Sequence, residues 1–169
     1  MINVLSRQQF ENFVLSRNIN DNNVETIDSM FFICIHNTGG YNHEPYFQTD
    51  HHNVLRLWFD DCDVDKETQL LNGEIAKEKA MTIQQAKNVY DFLLYQKELG
   101  RKIGVVHCAA GIARSGAVGT FANTLLDQDQ LMFNSLNREI KPNGHVLSLL
   151  NSILWQKHFK NEEASRFTL

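Results

Sequence analysis

The sequence is poor in cysteine and proline and has no long hydrophobic run. Its 169 residues include three cysteines and two prolines. Three cysteines are too few for a disulfide framework, and their odd number leaves at least one thiol free. No proline-rich or glycine-rich tract separates one part of the chain from another, so we expect a single domain over residues 1–169.

Positive charge is also scarce, because 16 lysines and arginines stand against 20 aspartates and glutamates, for a formal net charge of −4. A nucleic-acid partner needs clustered basic residues and is therefore not expected. No apolar stretch approaches the length of a membrane span, and the first residues do not resemble a signal peptide. We expect a soluble, cytoplasmic protein with reduced thiols and no membrane contact.

Hydrophobic patterning predicts apolar strands that alternate with amphipathic helices. Three short apolar runs are typical of strands buried on both faces, at residues 30–35, 54–59 and 103–107. Capping boxes predict that helices begin at Ser6 and Thr82. Helices are predicted at residues 6–17, between Thr82 and Gly100, around 117–126, and near 129–139 and 143–159. This order indicates an α/β fold with a central, mostly parallel sheet flanked by helices.

The turn after the third apolar run has the most informative sequence. Residues 107–116 read His-Cys-Ala-Ala-Gly-Ile-Ala-Arg-Ser-Gly and join a buried strand to a helix. Ligands of parallel sheets bind beyond the carboxyl ends of the strands. Backbone N–H groups and the positive end of the helix dipole converge at such a turn, so it can hold an oxyanion without a metal.

Each residue type in this turn suits phosphate chemistry. Cys108 shares the positive field, which favours its thiolate. Arg114 presents a planar fork of donors that matches two phosphate oxygens. Gly111 permits a positive φ and a close approach of the backbone to the ligand, and Ser115 places a hydroxyl near the sulfur. The substrate would be bound by the turn itself, through Ala109, Ala110, Gly111, Ile112, Ala113 and Arg114.

The Cys-x5-Arg-Ser pattern, preceded by His107 and followed by Gly116, resembles the signature of protein tyrosine and dual-specificity phosphatases. The resemblance implies a phosphate-binding loop between strand and helix and hydrolysis of phosphate monoesters through a phosphocysteine. It implies no metal and no cofactor. The chain is short for a tyrosine-specific enzyme, so a compact, dual-specificity-like member acting on phosphotyrosine, phosphoserine or phosphothreonine in proteins is expected. We expect His107 to orient the loop by hydrogen bonds.

In the resembling family, an aspartate on a loop after an earlier strand protonates the leaving oxygen. Here the run 54–59 leads directly into Asp60 and Asp61, with Asp63 close behind. The family spacing puts Asp61 in the place of the acid, with Asp60 second and Asp63 third. A calcium loop in this acidic stretch is excluded, because Lys66 stands where such a loop requires glycine.

Two supporting residues have alternative roles. Asn143, in a Lys-Pro-Asn segment, either braces the phosphate loop, as a similar segment does in dual-specificity phosphatases, or more simply caps the last helix. Cys62, beside the proposed acid, is a candidate for a reversible disulfide with Cys108. Cys34 lies within a predicted buried strand and is expected in the core.

Other functions remain open from the sequence. One is a phosphate-binding pseudophosphatase module, and another is an enzyme similar to RNA 5′-phosphatases. Rhodanese-like and arsenate-reductase-like enzymes also place a cysteine on such a loop, but they lack the aspartate loop. Polyphosphoinositide substrates are disfavoured, because residues 109–113 contain no lysine.

Overall fold

The computed structural model describes residues 1–39 and 44–166, with side chains as far as Lys157. Within these residues the strands are β1 Ile2–Ser6, β2 Met30–His36, β3 Val54–Trp58, β4 Lys66–Gln69, β5 Ile75–Glu78 and β6 Ile103–Cys108. The helices are α1 Arg7–Ser16, α2 Ile83–Glu98, α3 Arg114–Leu125, α4 Gln130–Leu136 and α5 Gly144–Arg166, and Val24–Thr26 forms a 3₁₀ turn.

Four of the strands form one parallel sheet in the order β1-β6-β2-β3. Helix α1 covers one face, where Phe10 and Val14 pack in a cluster with Phe32, Cys34 and Val105. Helices α2, α3 and α5 cover the other face in a larger cluster. The predicted α/β fold with a central parallel sheet flanked by helices is therefore confirmed.

The central strands are apolar along their length because helices cover both of their faces. β2 is buried from Phe31 to His36, and β6 is buried from Gly104 to Cys108. The apolar runs that predicted these strands reflect this two-sided burial. Cys34 is 2% exposed within β2, so its predicted core position is confirmed.

Local signals set where the helices begin and end. Both predicted capping boxes are present, with Ser6 paired to Gln9 and Thr82 paired to Gln85. Gly100 adopts a φ of +71° just beyond α2, a left-handed conformation that favours glycine and ends the helix. The last helix extends to Arg166, beyond the predicted end at 159.

Two features were not predicted. Strand β1 pairs in parallel with β6, but its five residues are only half buried and give a weak apolar pattern. Strands β4 and β5 form an antiparallel hairpin that joins no other strand among the described residues. This hairpin is mostly exposed and polar, so its sequence lacks the alternation that marks a buried strand.

The parallel order brings the carboxyl ends of the strands to one edge of the sheet. Ser6 pairs with Cys108, and Cys34 pairs with His107. The end of β3 lies at the same edge, where the amide of Phe59 donates to the carbonyl of His36 at 3.1 Å. The loop after β6 and the acidic stretch after β3 therefore lie at the same end of the molecule.

Helix α5 is long enough to raise the question of a membrane span. No helix in the described part of the chain is both long and apolar enough to cross a bilayer.

Candidate active site

The loop between β6 and α3 is held in place by hydrogen bonds that its carbonyl groups accept from the surrounding chain. The carbonyl of Ala109 accepts from the amide of Arg7 at 3.1 Å, and that of Ile112 accepts from Lys141 at 3.2 Å. The carbonyl of Ala113 accepts from the amide of Asn143 at 3.1 Å. Because C=O and N–H point in opposite directions across a planar peptide, the N–H groups that follow these carbonyls point away from the surrounding chain. Amides arranged in this way form a concave donor surface of a kind that can bind an anion.

Gly111 fits this loop for two reasons. Its φ is +74°, which is strained for any residue with a side chain. A Cβ atom at this position would also overlap the backbone of Leu5 and Ser6 at the end of β1. The loop can therefore pack on the end of β1 only if position 111 is glycine.

The sulfur of Cys108 lies inside the loop and has two polar neighbours. Its Sγ is 3.1 Å from the hydroxyl of Ser115, and it accepts from the amide of Gly111 at 3.3 Å. The side chain is 2% exposed.

Arg114 is a buried cation at the first position of α3. Its Nη1 donates to the carbonyl of Phe59 at 2.8 Å, and the residue is 6% exposed. None of the ion pairs formed among the described residues includes Arg114. A buried guanidinium without a carboxylate partner is unfavourable unless an anion binds beside it.

The three candidate acids have different surroundings. Asp60 is 6% exposed, and its carboxylate accepts from the amide of Lys79 at 2.9 Å and from both the amide and the hydroxyl of Thr38. Its oxygens therefore hold the hairpin and the end of β2 in place. Asp61 and Asp63 are exposed.

The carboxylate of Asp61 is held by one side chain, because the Nδ2 group of Asn143 donates to its Oδ1 at 2.8 Å. Asn143 also accepts from the amide of Val146 at 2.9 Å and so caps α5. Its own amide braces the phosphate loop through Ala113. Asn143 thus contacts the phosphate loop, the first turn of α5 and the proposed acid.

The role predicted for His107, orienting the loop by hydrogen bonds, stays a prediction. Neither of its ring nitrogens has a partner at hydrogen-bonding geometry within the described residues, although the backbone of Cys108 lies close by. Instead the ring stacks on Phe10, with centroids 4.0 Å apart. Burial, together with the neighbouring His36, lowers the pKa of His107 to about 3, so the ring is neutral near pH 7.

Cys62 follows Asp61 in the sequence and is buried, with 7% of its surface exposed. Burial and the nearby carboxylates of Asp60 and Glu78 raise its pKa, which disfavours the thiolate that disulfide exchange requires. All three cysteines are free thiols. The proposed disulfide between Cys62 and Cys108 remains a prediction.

Several residues of the site had no sequence signal. Thr38 and Lys79, which hold Asp60, lie 22 and 19 residues from it in sequence. The Nε2 group of Gln85 donates to the carbonyl of Trp58 at 2.7 Å and so ties α2 to the start of residues 59–65, here called the acid loop. Gln85 was predicted only as part of a capping box. Within the described residues, no group of three or more His, Cys, Asp or Glu side chains is arranged to hold a metal ion.

No protein-family model matches the chain, and no curated protein sequence matches it. Among solved structures, its fold is similar to that in the crystal structure of human tyrosine phosphatase-like serine/threonine/tyrosine-interacting protein. The two share 16% sequence identity with a TM-score of 0.44, over 79% of this chain and 82% of that chain. This likeness concerns the fold alone.

Proposed function

We propose that the chain is a cysteine-dependent phosphatase that hydrolyses phosphate monoesters through a phosphocysteine. The observation that carries the proposal is the setting of Cys108. Its sulfur is hydrogen-bonded within an anion-binding loop, 3.1 Å from the Ser115 hydroxyl and 3.3 Å from the Gly111 amide. The buried Arg114 at the end of the same loop has no acidic partner among the described residues.

In the first step the Cys108 thiolate attacks phosphorus in line with the leaving oxygen. The S–P bond forms as the P–O bond to the leaving group breaks. Loop amides and Arg114 hold the three non-bridging oxygens, where preorganised donors stabilise the charge of the transition state. Asp61 gives its proton to the leaving oxygen.

In the second step water attacks the phosphocysteine. Asp61, now a carboxylate, takes a proton from that water, and the S–P bond breaks to release inorganic phosphate. The hydroxyl of Ser115, at 3.1 Å, donates to the departing sulfur. The reaction regenerates the thiolate and uses no metal and no cofactor.

The environments of the three aspartates support Asp61 as the acid. Asp60 is engaged by two backbone amides and a hydroxyl, so its oxygens already have structural partners. Asp61 is exposed and is held by Asn143, which also touches the phosphate loop. Asp63 is exposed, and no hydrogen bond to its carboxylate occurs within the described residues.

The proposed substrates are phosphorylated proteins carrying phosphotyrosine, phosphoserine or phosphothreonine. Apart from Arg114, residues 108–114 carry no charged side chain except the cysteine thiolate, so the loop suits one phosphate rather than a densely phosphorylated ring. We also propose that the protein is cytoplasmic, because its three cysteines are free thiols and thiols stay reduced in the cytosol.

The test is hydrolysis of p-nitrophenyl phosphate at mildly acidic pH in EDTA, comparing wild type with Cys108→Ser. Removing a nucleophile costs roughly 10⁴-fold or more in turnover, so Cys108→Ser should be inactive. Cys62→Ser is the matched control, because it removes a buried thiol from the neighbouring acid loop and should keep activity.

Binding of orthovanadate, measured together with turnover, distinguishes an active phosphatase from a phosphate-binding module. If wild type binds vanadate but hydrolyses neither the aryl phosphate nor phosphopeptides, the chain is a pseudophosphatase module and the proposal is wrong. Turnover of 5′-phosphorylated RNA in preference to phosphopeptides would instead indicate an RNA 5′-phosphatase.

A further inference from the structure

The sequence contains two asparagine–glycine pairs. Asn72-Gly73 lies in the turn of the β4–β5 hairpin, and Asn143-Gly144 lies at the start of α5. In such a pair the backbone nitrogen of the glycine can attack the side-chain carbonyl of the asparagine, because glycine has no side chain to obstruct the approach. The attack closes a succinimide ring and releases ammonia, and water then opens the ring to aspartate or isoaspartate. The second pair is of interest because Asn143 contacts both Asp61 and the phosphate loop.

Gly144 has the properties of an attacking residue. It is exposed, and a Cβ atom placed there would meet no atom within 4 Å. Because it is the first residue of α5, its amide has no acceptor within the helix. Among the described residues this amide donates no hydrogen bond at all. No hydrogen bond therefore has to break before the Gly144 nitrogen loses its proton to solvent.

The side-chain carbonyl of Asn143 is polarised by the helix that it caps. Its Oδ1 accepts from the amide of Val146 at 2.9 Å, at the positive end of the α5 dipole. When the Gly144 nitrogen bonds to Cγ, negative charge collects on Oδ1, and a backbone donor already in place stabilises that charge. The first turn of α5 has to loosen for the ring to close, because Leu147 donates to the main-chain carbonyl of Asn143 at 3.1 Å. Helix ends open far more readily than the whole fold, so the reaction is slow but does not require unfolding.

The leaving nitrogen lies against the proposed acid. The Nδ2 group of Asn143 donates to Oδ1 of Asp61 at 2.8 Å. Ammonia leaves when this nitrogen takes up a proton as its bond to Cγ breaks, and the protonated carboxyl of Asp61 is placed to give that proton. The carboxylate then recovers a proton from solvent. Asp61 thus protonates a leaving nitrogen here, as it protonates a leaving oxygen in the proposed phosphatase reaction.

We propose that Asn143-Gly144 is a deamidation site of the folded protein, assisted by Asp61 and Val146, and that its reaction inactivates the candidate active site. Aspartate at position 143 can still cap α5, but it has no N–H for Asp61 and brings a second negative charge against it. Isoaspartate adds a methylene to the main chain and displaces the amide that donates to Ala113. The deamidation does not depend on the proposed phosphatase function, whereas its effect on activity rests on it.

The test follows purified wild type during storage at neutral pH and physiological temperature. Peptide mapping by mass spectrometry measures conversion at Asn72 and at Asn143 separately, and turnover of p-nitrophenyl phosphate is measured on the same samples. Asn143 should convert, and turnover should fall in step with conversion at this position. An unconverted Asn143 in samples whose Asn72 has reacted would overturn the site. Full turnover by converted protein would overturn the inactivation.

Three variants identify the groups that assist the reaction. Gly144→Ala should slow conversion of Asn143 several-fold, because the added methyl group obstructs the attack but meets no neighbouring atom. Asp61→Asn should slow it about 10²-fold, the lower end of what a positioned acid contributes, and should leave conversion at Asn72 unchanged. Asn72→Gln is the matched control, because it removes the other pair and should lose activity at the wild-type rate. Equal conversion of Asn143 in wild type and Asp61→Asn would overturn the part assigned to Asp61.

The substitution Asn143→Asp reproduces one product directly. It should keep the wild-type Tm through the cap on Val146, and kcat should fall about tenfold, the cost of a like charge a few ångströms from Asp61 at the protein surface. Wild-type kcat in Asn143→Asp would contradict the inactivation. Conversion at Asn143 that depends on Asp61, in a protein with no turnover, would support the deamidation site and contradict the phosphatase proposal. Turnover without conversion would do the reverse.

Discussion

The phosphate loop and the acid loop are the two halves of the candidate site, and they are supported in different ways. The phosphate loop is tied by backbone hydrogen bonds to Arg7, Lys141 and Asn143, and its Cys108 and Arg114 side chains are buried. The acid loop leads into an exposed hairpin, and its proposed acid, Asp61, is held by one side-chain contact. A group that binds phosphate has to be preorganised, whereas an acid that meets substrates of different shapes can rely on lighter support.

The strongest test of this comparison replaces each of the two neighbouring aspartates in turn by asparagine. Asp61→Asn should lower kcat about 10²–10⁴-fold, because a positioned general acid contributes that much. Asp60→Asn should mainly lower stability, by about 1.5–3 kcal/mol, because it weakens hydrogen bonds to a charged group. Steady-state kinetics and urea unfolding separate the two effects. A catalytic loss in Asp60→Asn with none in Asp61→Asn would mean that the roles of the two residues are reversed.

The substitution Arg114→Lys tests the phosphate loop, the half of the site that we expect to be preorganised. Lysine keeps the charge but cannot bind two phosphate oxygens as a planar fork or keep the contact with Phe59 in the same geometry. We expect kcat/KM to fall about 10²–10³-fold, the cost of losing a transition-state donor. Lys157→Arg is a control for the conservative exchange at a surface ion pair. Near-normal activity of Arg114→Lys would show that charge alone suffices.

Asn143 joins the two halves, and its roles can be separated. Asn143→Ser keeps a residue that caps helices but is too short to reach Asp61, so kcat should fall a few-fold while stability stays near wild type. Asn143→Ala removes both contacts and should also cost about 1 kcal/mol of stability. Equal kcat in Asn143→Ser and wild type would show that Asp61 needs no support from this side chain.

The smallest effect is on the pH dependence of stability beside the phosphate loop. The pKa of His36 is lowered from 6.5 to about 4 by burial and by Arg7, Arg56 and Arg114. The unfolded chain binds a proton that the folded chain refuses between these values, so stability should fall as the pH drops from about 6.5 to 4. His36→Phe, which keeps a ring near Trp58, should flatten the decline of Tm with acid. Parallel curves for the two proteins would contradict this.

The sequence predicted the buried half of the molecule better than the exposed half. β2 and β6 follow from apolar runs, because burial on both faces leaves a strong pattern. The loop between β6 and α3 follows from one dense motif. The hairpin of β4 and β5 packs little apolar surface, so nothing in its composition marks a strand.

The candidate acids were ranked from sequence only by the family spacing, for a different reason. Asp60 and Asp61 are adjacent and chemically identical, and only their distant partners distinguish them. Thr38 and Lys79 bind the first, and Asn143 binds the second. Such contacts depend on how the strands are ordered in the sheet, which local patterns do not contain. The same holds for Arg7, whose position beside the loop follows from the pairing of β1 with β6.

The pairing of β1 with β6 also bears on when the surroundings of Cys108 form during folding. Ile2 pairs with Gly104 and Ser6 pairs with Cys108, so segments about a hundred residues apart in the chain must meet before Gly111 can settle against the end of β1. Pairings between segments this distant in sequence are intrinsically slow to form. The surroundings of Cys108 are therefore complete only once the two ends of this long loop have been joined.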